Sequence, residues 1–211
     1  MQKAMTIVYE VGKNLYLNLT NRCPCRCTFC LRTMADGAYG TDPLWLDHEP
    51  SQEEIANALS AFDVASYPEV VFCGYGEPTE RLDVLLKTAK ILREKGVKKI
   101  RLNTNGLSDL IHGEKTAGKL AGLIDVVSIS LNAGTEAAYL AVTRPKFGEG
   151  SFAAMQEFAV DCKAYVPQVM MTVVDGVLSE VEMTAAKELT ERLGVTLRIR
   201  PFENADSRRE K

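Results

Sequence analysis

The sequence has no run approaching the roughly 20 apolar residues that span a bilayer, and its start, MQKAMTIVYE, lacks the apolar stretch of a signal peptide. Both absences point to a cytoplasmic chain with no membrane partner. Internal repeats, low-complexity tracts and Gly/Ser linkers are also missing, so the 211 residues read as one domain, 1–211, with a short polar tail at about 203–211. Charge of one sign is scarce. A formal net charge of −3 gives no global field for a polyanion, which speaks against a nucleic-acid binder. Histidine is nearly absent: His48 and His112 have no spacing for a metal and read as surface residues. What remains is average globular composition, with 46% hydrophobic and 25% charged residues, which excludes a disordered chain or a membrane bundle.

Cysteine is where the sequence departs from the average. Four of the six, Cys23, Cys25, Cys27 and Cys30, crowd into eight residues. Disulfides there would close very short, strained loops, so clustered thiols in a reducing compartment indicate metal. Cys73 and Cys162 sit alone in apolar surroundings and read as small buried hydrophobes without a ligand role.

Short β-rich runs closed by Gly, Asn or Pro occur at 15–20, 69–73, 99–103, 125–131, 168–174 and 195–200. Helical patterns lie between them at 51–61, 79–95, 114–123, 135–142, 151–164 and 179–193; Ser51 and Glu54 make a capping box, and Gly96 closes the second helix. This alternation predicts an α/β fold of parallel strands built from βαβ units.

The strand faces then choose between a sheet covered on both sides and a barrel. Leu15, Leu17 and Leu19 alternate with Tyr16, Asn18 and Thr20, and Val127, Ile129 and Leu131 with Ser128, Ser130 and Asn132. The strands at 99–103 and 195–200 repeat the pattern. Helices cover the apolar face, so the polar face looks into a lumen that holds polar ligands. A partial (β/α)6 barrel follows; an open sheet with one solvated face is the alternative.

The thiol loop, residues 20–30, directly follows the first strand, at the end where barrel enzymes carry their active sites. Cys23, Cys27 and Cys30 form C-x3-C-x2-C with Phe29 before the last cysteine, which resembles the cluster signature of the radical S-adenosylmethionine (SAM) superfamily. Three thiolates on a cubane cluster leave one iron open. The resemblance implies a 4Fe-4S cluster whose open iron takes the methionine end of SAM, and reductive cleavage to a 5'-deoxyadenosyl radical. It also implies an electron donor such as flavodoxin or ferredoxin. Cys25 is outside the motif. It leaves open which three thiols ligate, and admits four thiolates on zinc, although structural zinc usually joins two separated halves. Arg22, Arg26 and Arg32 flank the loop, where they either favour thiolates or simply face water.

Cys73-Gly74-Tyr75-Gly76-Glu77-Pro78 is similar to the superfamily's Gly-Gly-Glu-Pro strand end with Tyr75 inserted. The resemblance carries Gly74, Gly76 and Glu77 over to the methionine amino group. Asn105, and Ser128, Ser130 and Asn132, resemble strand ends near the ribose and carboxylate, although Asn105-Gly106 alone is also an ordinary turn signal. Arg198 and Arg200 point the same way from the last strand and need an anion if they face inward: the methionine carboxylate, a substrate group, or Glu77 and Glu203. On an exposed edge strand they would face water. Arg144 reads as a loop arginine.

Within the superfamily the loop and the Gly-Tyr-Gly-Glu-Pro variant look like the small family associated with TatD-type metal-dependent hydrolases, implying such a hydrolase as companion. No second cysteine cluster is visible, which disfavours sulfur insertion and leaves hydrogen abstraction from a small or nucleotide-like substrate. The alternatives are a carboxydeazaguanine-synthase-like ring contraction, activation of a glycyl-radical enzyme, and a non-enzymatic iron-sulfur sensor or partner protein. The substrate, SAM as cofactor or cosubstrate, the oligomeric state and the role of the stretch 31–50 are not legible.

Overall fold

A computed structural model of the chain describes residues 4–34, 37 and 40–201. The polar tail expected at 203–211, with Glu203, lies outside these residues. The described strands form one sheet in sequence order: β1 (Val8–Val11), β2 (Asn14–Leu17), β3 (Val70–Phe72), β4 (Ile100–Thr104), β5 (Val126–Ser130), β6 (Gln168–Val174) and β7 (Thr196–Arg200). From β2 to β7 every pairing is parallel, as the βαβ pattern requires. The sheet does not close, so β7 remains an edge on which Ile199 is 48% exposed.

One strand was not expected. β1 pairs antiparallel with β2 through a two-residue turn, Gly12–Lys13, with Gly12 at φ +60. A glycine at the first central position is what such a hairpin needs. Its four residues carry too little alternation to stand out.

The helices are α1 (Gln52–Ser60), α2 (Leu82–Glu94), α3 (Ser108–His112), α4 (Glu136–Thr143), α5 (Ser151–Cys162) and α6 (Glu180–Leu193). Ser51 caps α1 with the reciprocal box, and Gly96, at φ +83, stands just beyond the end of α2. The helix expected at 114–123 does not form. Gly113 takes the left-handed conformation that ends α3, and only a 3₁₀ turn, Ala117–Leu120, survives between Gly113 and Gly122. The Asp109 carboxylate, which accepts from the Thr116 amide and hydroxyl, fixes that turn instead.

The apolar strand face is the core. Leu15, Leu17, Val70, Phe72, Ile100, Leu102, Val127, Ile129, Met171 and Val173 pack in one cluster with Ile55, Leu85, Leu92, Met155, Phe158 and Leu189 of the helices. Truncating any of these large side chains to alanine costs about 2–5 kcal/mol. Cys162 is fully buried there, and burial pushes its thiol up to about 12. The opposite, polar face is left to line a cavity.

Candidate active site

That cavity has a volume of about 310 Å³. Every residue singled out from the sequence as a ligand or cofactor contact lines it: the three motif thiols and Phe29, Gly74, Gly76 and Glu77, Asn105, Ser128, Ser130 and Asn132, and Arg198 and Arg200. The parallel register explains this. Asn103 stands opposite Ser128, Ser130 opposite Thr172, and Thr172 opposite Arg198, so the polar members of four strands form one floor.

The thiol loop is held by its neighbours. Backbone amides of Arg26 and Thr28 donate to the Thr143 and Val142 carbonyls at the end of α4, both at 2.9 Å, and the Lys146 amide donates to Pro24 at 2.8 Å. On the other side the Glu77 amide donates to the Arg22 carbonyl at 2.7 Å. Cys25 is buried between Cys23 and Cys27, and its thiol hydrogen-bonds with both. That contact holds the Cys23 and Cys27 thiols below their usual range and pushes Cys25 far above its own. Burial pushes Cys30 up. Arg32 is half-buried beside them, donates to the Cys25 carbonyl at 3.1 Å, and further favours a thiolate at Cys27. Arg22 and Arg26 instead face solvent.

Glu77 is 3% exposed and serves as a junction between loops. Its Oε1 accepts from the Thr79 amide (3.1 Å) and from the Thr79 (2.8 Å) and Thr104 (2.7 Å) hydroxyls, and its Oε2 from the Asn105 amide (2.7 Å). Burial pushes this carboxyl up, and the four donors pull it back toward the charged form. Gly74 and Gly76 are small for a reason the motif did not reveal. A Cβ on Gly76 would stand 2.2 Å from the Thr20 carbonyl oxygen, and one on Gly74 2.1 Å from the Asn18 side chain. The two glycines let the strand-end loops touch.

Several lining residues escaped the sequence reading. Cys73, read as a plain core residue, opens onto the cavity beside the Asn103 amide. Tyr9 and Thr172 line it too, Thr172 opposite Ser130 in the register; Tyr16 and Arg101, on the polar strand face, and Arg32, flanking the thiol loop, line it as the sequence suggested. The stretch 31–50 contributes Leu31 and Leu44 to the wall, anchored by Asn18 and Asn21, whose side-chain amides donate to the Leu44 and Leu46 carbonyls at 2.7 Å. Both histidines lie at the surface, as their sequence context suggested: the His112 ring donates to the Thr79 carbonyl at 2.8 Å, and His48 stands against Glu54.

The donor set fits a cubane iron-sulfur cluster with a polar ligand above it. Three half-exposed thiols form one rim, and Oδ1 of Asn103, Oδ1 of Asn132 and Nε of Arg200 are buried among the cavity residues with no partner. Buried polar atoms left unpaired are costly unless a ligand meets them. Among the described residues Arg198 and Arg200 have no ion-pair partner.

Comparison with known proteins agrees. The radical SAM superfamily pattern matches residues 17–187, and the chain belongs to that superfamily. It is an enzyme of the radical SAM type, using a 4Fe-4S cluster and SAM. It is 30% identical over 200 residues to the GTP 3',8-cyclase of Corynebacterium glutamicum strain R, covering 90% of this chain and 49% of that protein. The corresponding enzyme of Limosilactobacillus fermentum is 30% identical over 128 residues, 61% of this chain and 36% of its own length. The chain therefore spans about half the length of the curated relatives it matches. The fold resembles anSMEcpe with bound AdoMet, with TM-score 0.63, 15% identity and 90% of this chain covering 51% of that one. It also resembles a radical SAM methyltransferase from Sphaerobacter thermophilus, with TM-score 0.62, 16% identity, and 94% and 70% coverage.

Proposed function

We propose that this enzyme removes a hydrogen atom from a small anionic, nucleotide-like substrate held near the cluster by Arg198 and Arg200. The observation that carries the reading is the shared cavity: the motif thiols and Arg200, whose buried Nε has no partner, face the same space, and the solvent-exposed Arg198 on edge strand β7 lines it as well. Similarity to GTP 3',8-cyclases supports a nucleoside triphosphate as the first substrate class to test.

Cys23, Cys27 and Cys30 would hold the cluster. Together cluster and SAM supply a strongly hydrogen-abstracting 5'-deoxyadenosyl radical; the protein supplies binding, orientation and exclusion of water. In this reading Ser128, Ser130, Asn132 and Asn105 offer short hydroxyl and amide groups to the ribose and carboxylate of SAM. Gly74, Gly76 and Glu77 fix the strand end against its amino group. Arg198 and Arg200 present planar forks suited to phosphate or carboxylate oxygens. The resemblance of the thiol loop to TatD-associated proteins supports a hydrolase companion, and the four clustered thiols suit the reducing cytoplasm.

The test is anaerobic reconstitution with iron and sulfide, followed by SAM, dithionite and mass-spectrometric measurement of 5'-deoxyadenosine. Production that depends on Cys23, Cys27 and Cys30, and deuterium transfer from labelled nucleotide into 5'-deoxyadenosine, are expected. Arg198→Ala and Arg200→Ala should raise KM for the nucleotide at least tenfold and leave substrate-free SAM cleavage unchanged. A fully loaded cluster that never cleaves SAM would defeat the reading and leave a sensor.

A further inference from the structure

The base of the cavity holds charge that the thiol rim above it does not use. Arg101 lies two residues before Asn103 on β4, on the same face and roughly 7 Å deeper along the strand. Its side chain is 11% exposed, and its Nη2 meets Glu69 at 3.0 Å and the Tyr16 hydroxyl at 3.4 Å. Glu69 also pairs with Lys99 at 3.3 Å, so Arg101 shares its one carboxylate with a second cation. Its Nε is buried with no partner. Arg200 lines the cavity from the edge strand β7; its Nε is buried and unpartnered too, and among the described residues it has no ion pair. The fields of both guanidinium groups meet at Cys73, just past β3: burial pushes that thiol up, while a hydrogen bond with the Asn103 side chain, then Arg200, then Arg101, pull it back against Glu77. The Glu77 oxygens are taken by four other donors. Oδ1 of Asn103 is the remaining bare atom, an acceptor between the two arginines and the thiol rim.

We propose that Arg101 and Arg200 form a deep oxyanion subsite for the substrate, with Oδ1 of Asn103 accepting a hydroxyl or N–H group that the ligand carries next to its anion. The inference rests on the reading that the cavity binds a small anionic substrate, and it adds which end enters first: the anion lies at the base, and the rest of the molecule points up toward the thiol rim. Two guanidinium groups with one shared carboxylate between them repel, and a buried N–H without an acceptor is costly. An oxyanion at the base relieves both. Planar guanidinium forks match carboxylate and phosphate oxygens in the same way, so the shared chemistry is the oxyanion with a neighbouring donor. Asn103 supplies selectivity, because a bare anion leaves its oxygen unmet and an anion with an adjacent hydroxyl does not.

The experiment is calorimetry of inorganic phosphate, ribose 5-phosphate and lactate on the full cluster-free chain. Whichever of ribose 5-phosphate and lactate binds more tightly names the anion, phosphate or carboxylate. The tighter of the two should bind at least fivefold better than inorganic phosphate, and Asn103→Ala should erase that preference. Arg200→Gln should weaken the same ligand at least tenfold. So should the double variant Glu69→Gln, Arg101→Gln, which removes both charges and leaves no buried carboxylate without its arginine. Cys73 reports the location. Trypsin releases it in the peptide 33–81, which holds no other cysteine, and the ligand should slow its alkylation by iodoacetamide at least fivefold in the wild type but not in Arg200→Gln. No binding of any of the three probes, unchanged affinity in both arginine variants, or no protection of Cys73 would overturn the proposal. Loss of the ligand when SAM is added to the reconstituted protein would also overturn it, by giving the arginines to the SAM carboxylate. If the ligand binds as described but no deuterium passes from labelled substrate into 5'-deoxyadenosine, the hydrogen-abstraction reading fails and the subsite stands.

Discussion

The Glu77 carboxylate accepts the Asn105 backbone amide at 2.7 Å, joining the loop after β3 to the loop after β4. Its own amide reaches the Arg22 carbonyl of the thiol loop, so three strand ends meet at one buried side chain. Glu77→Ala leaves four donors without their acceptor. At about 1–3 kcal/mol for each unsatisfied buried group, with water relieving part, the loss should be roughly 2–4 kcal/mol in urea unfolding of the cluster-free chain. Glu77→Gln should lose less. If alanine costs nothing, the junction is not what holds the loops.

Space, not backbone conformation, constrains Gly76. A methyl group there meets the Thr20 and Arg22 carbonyl oxygens at 2.2 and 2.6 Å, both main-chain atoms of the thiol loop. Gly76→Ala should cost about 1–3 kcal/mol by overpacking and should lower iron bound per chain after reconstitution. Normal iron loading with normal stability would contradict the packing seen here.

Cys25 lies between two motif thiols without belonging to the motif. Cys25→Ala should keep the four-iron absorption and SAM cleavage, whereas Cys27→Ala should lose both. A cluster that survives Cys27→Ala but not Cys25→Ala would reassign the ligands to Cys23, Cys25 and Cys30.

The Ser51 amide, followed by the His48 ring and the Ser51 hydroxyl, holds the exposed Glu54 carboxyl down to about 2 from an ordinary 4.5. A carboxyl depressed on folding contributes stability above its unfolded value and loses it as pH falls through the folded one. Acid unfolding of the cluster-free chain should therefore steepen between about pH 4.5 and 2, and Glu54→Gln should remove that component. An unchanged acid profile in Glu54→Gln would show that the capping carboxylate does not couple to folding.

The sequence by itself determined the chemistry that depends on near neighbours. The spacing of Cys23, Cys27 and Cys30 announces a cluster because ligand geometry within one loop is a local property. The alternation in the strands at 15–20, 99–103, 125–131 and 195–200 announces a polar lumen because successive side chains in a strand must point to opposite sides. Tertiary structure decided what depends on distant segments coming into contact. The hairpin strand β1 exists because β2 offers it an edge. The Asp109–Thr116 bonds, with glycines on either side, replaced the helix expected at 114–123. Cys73 faces the cavity beside the Asn103 side chain, and Thr172 through register with Arg198. The same holds for Glu77, whose donors Thr104 and Asn105 lie on another strand end. Those arrangements are long-range, and no local pattern of residues encodes them.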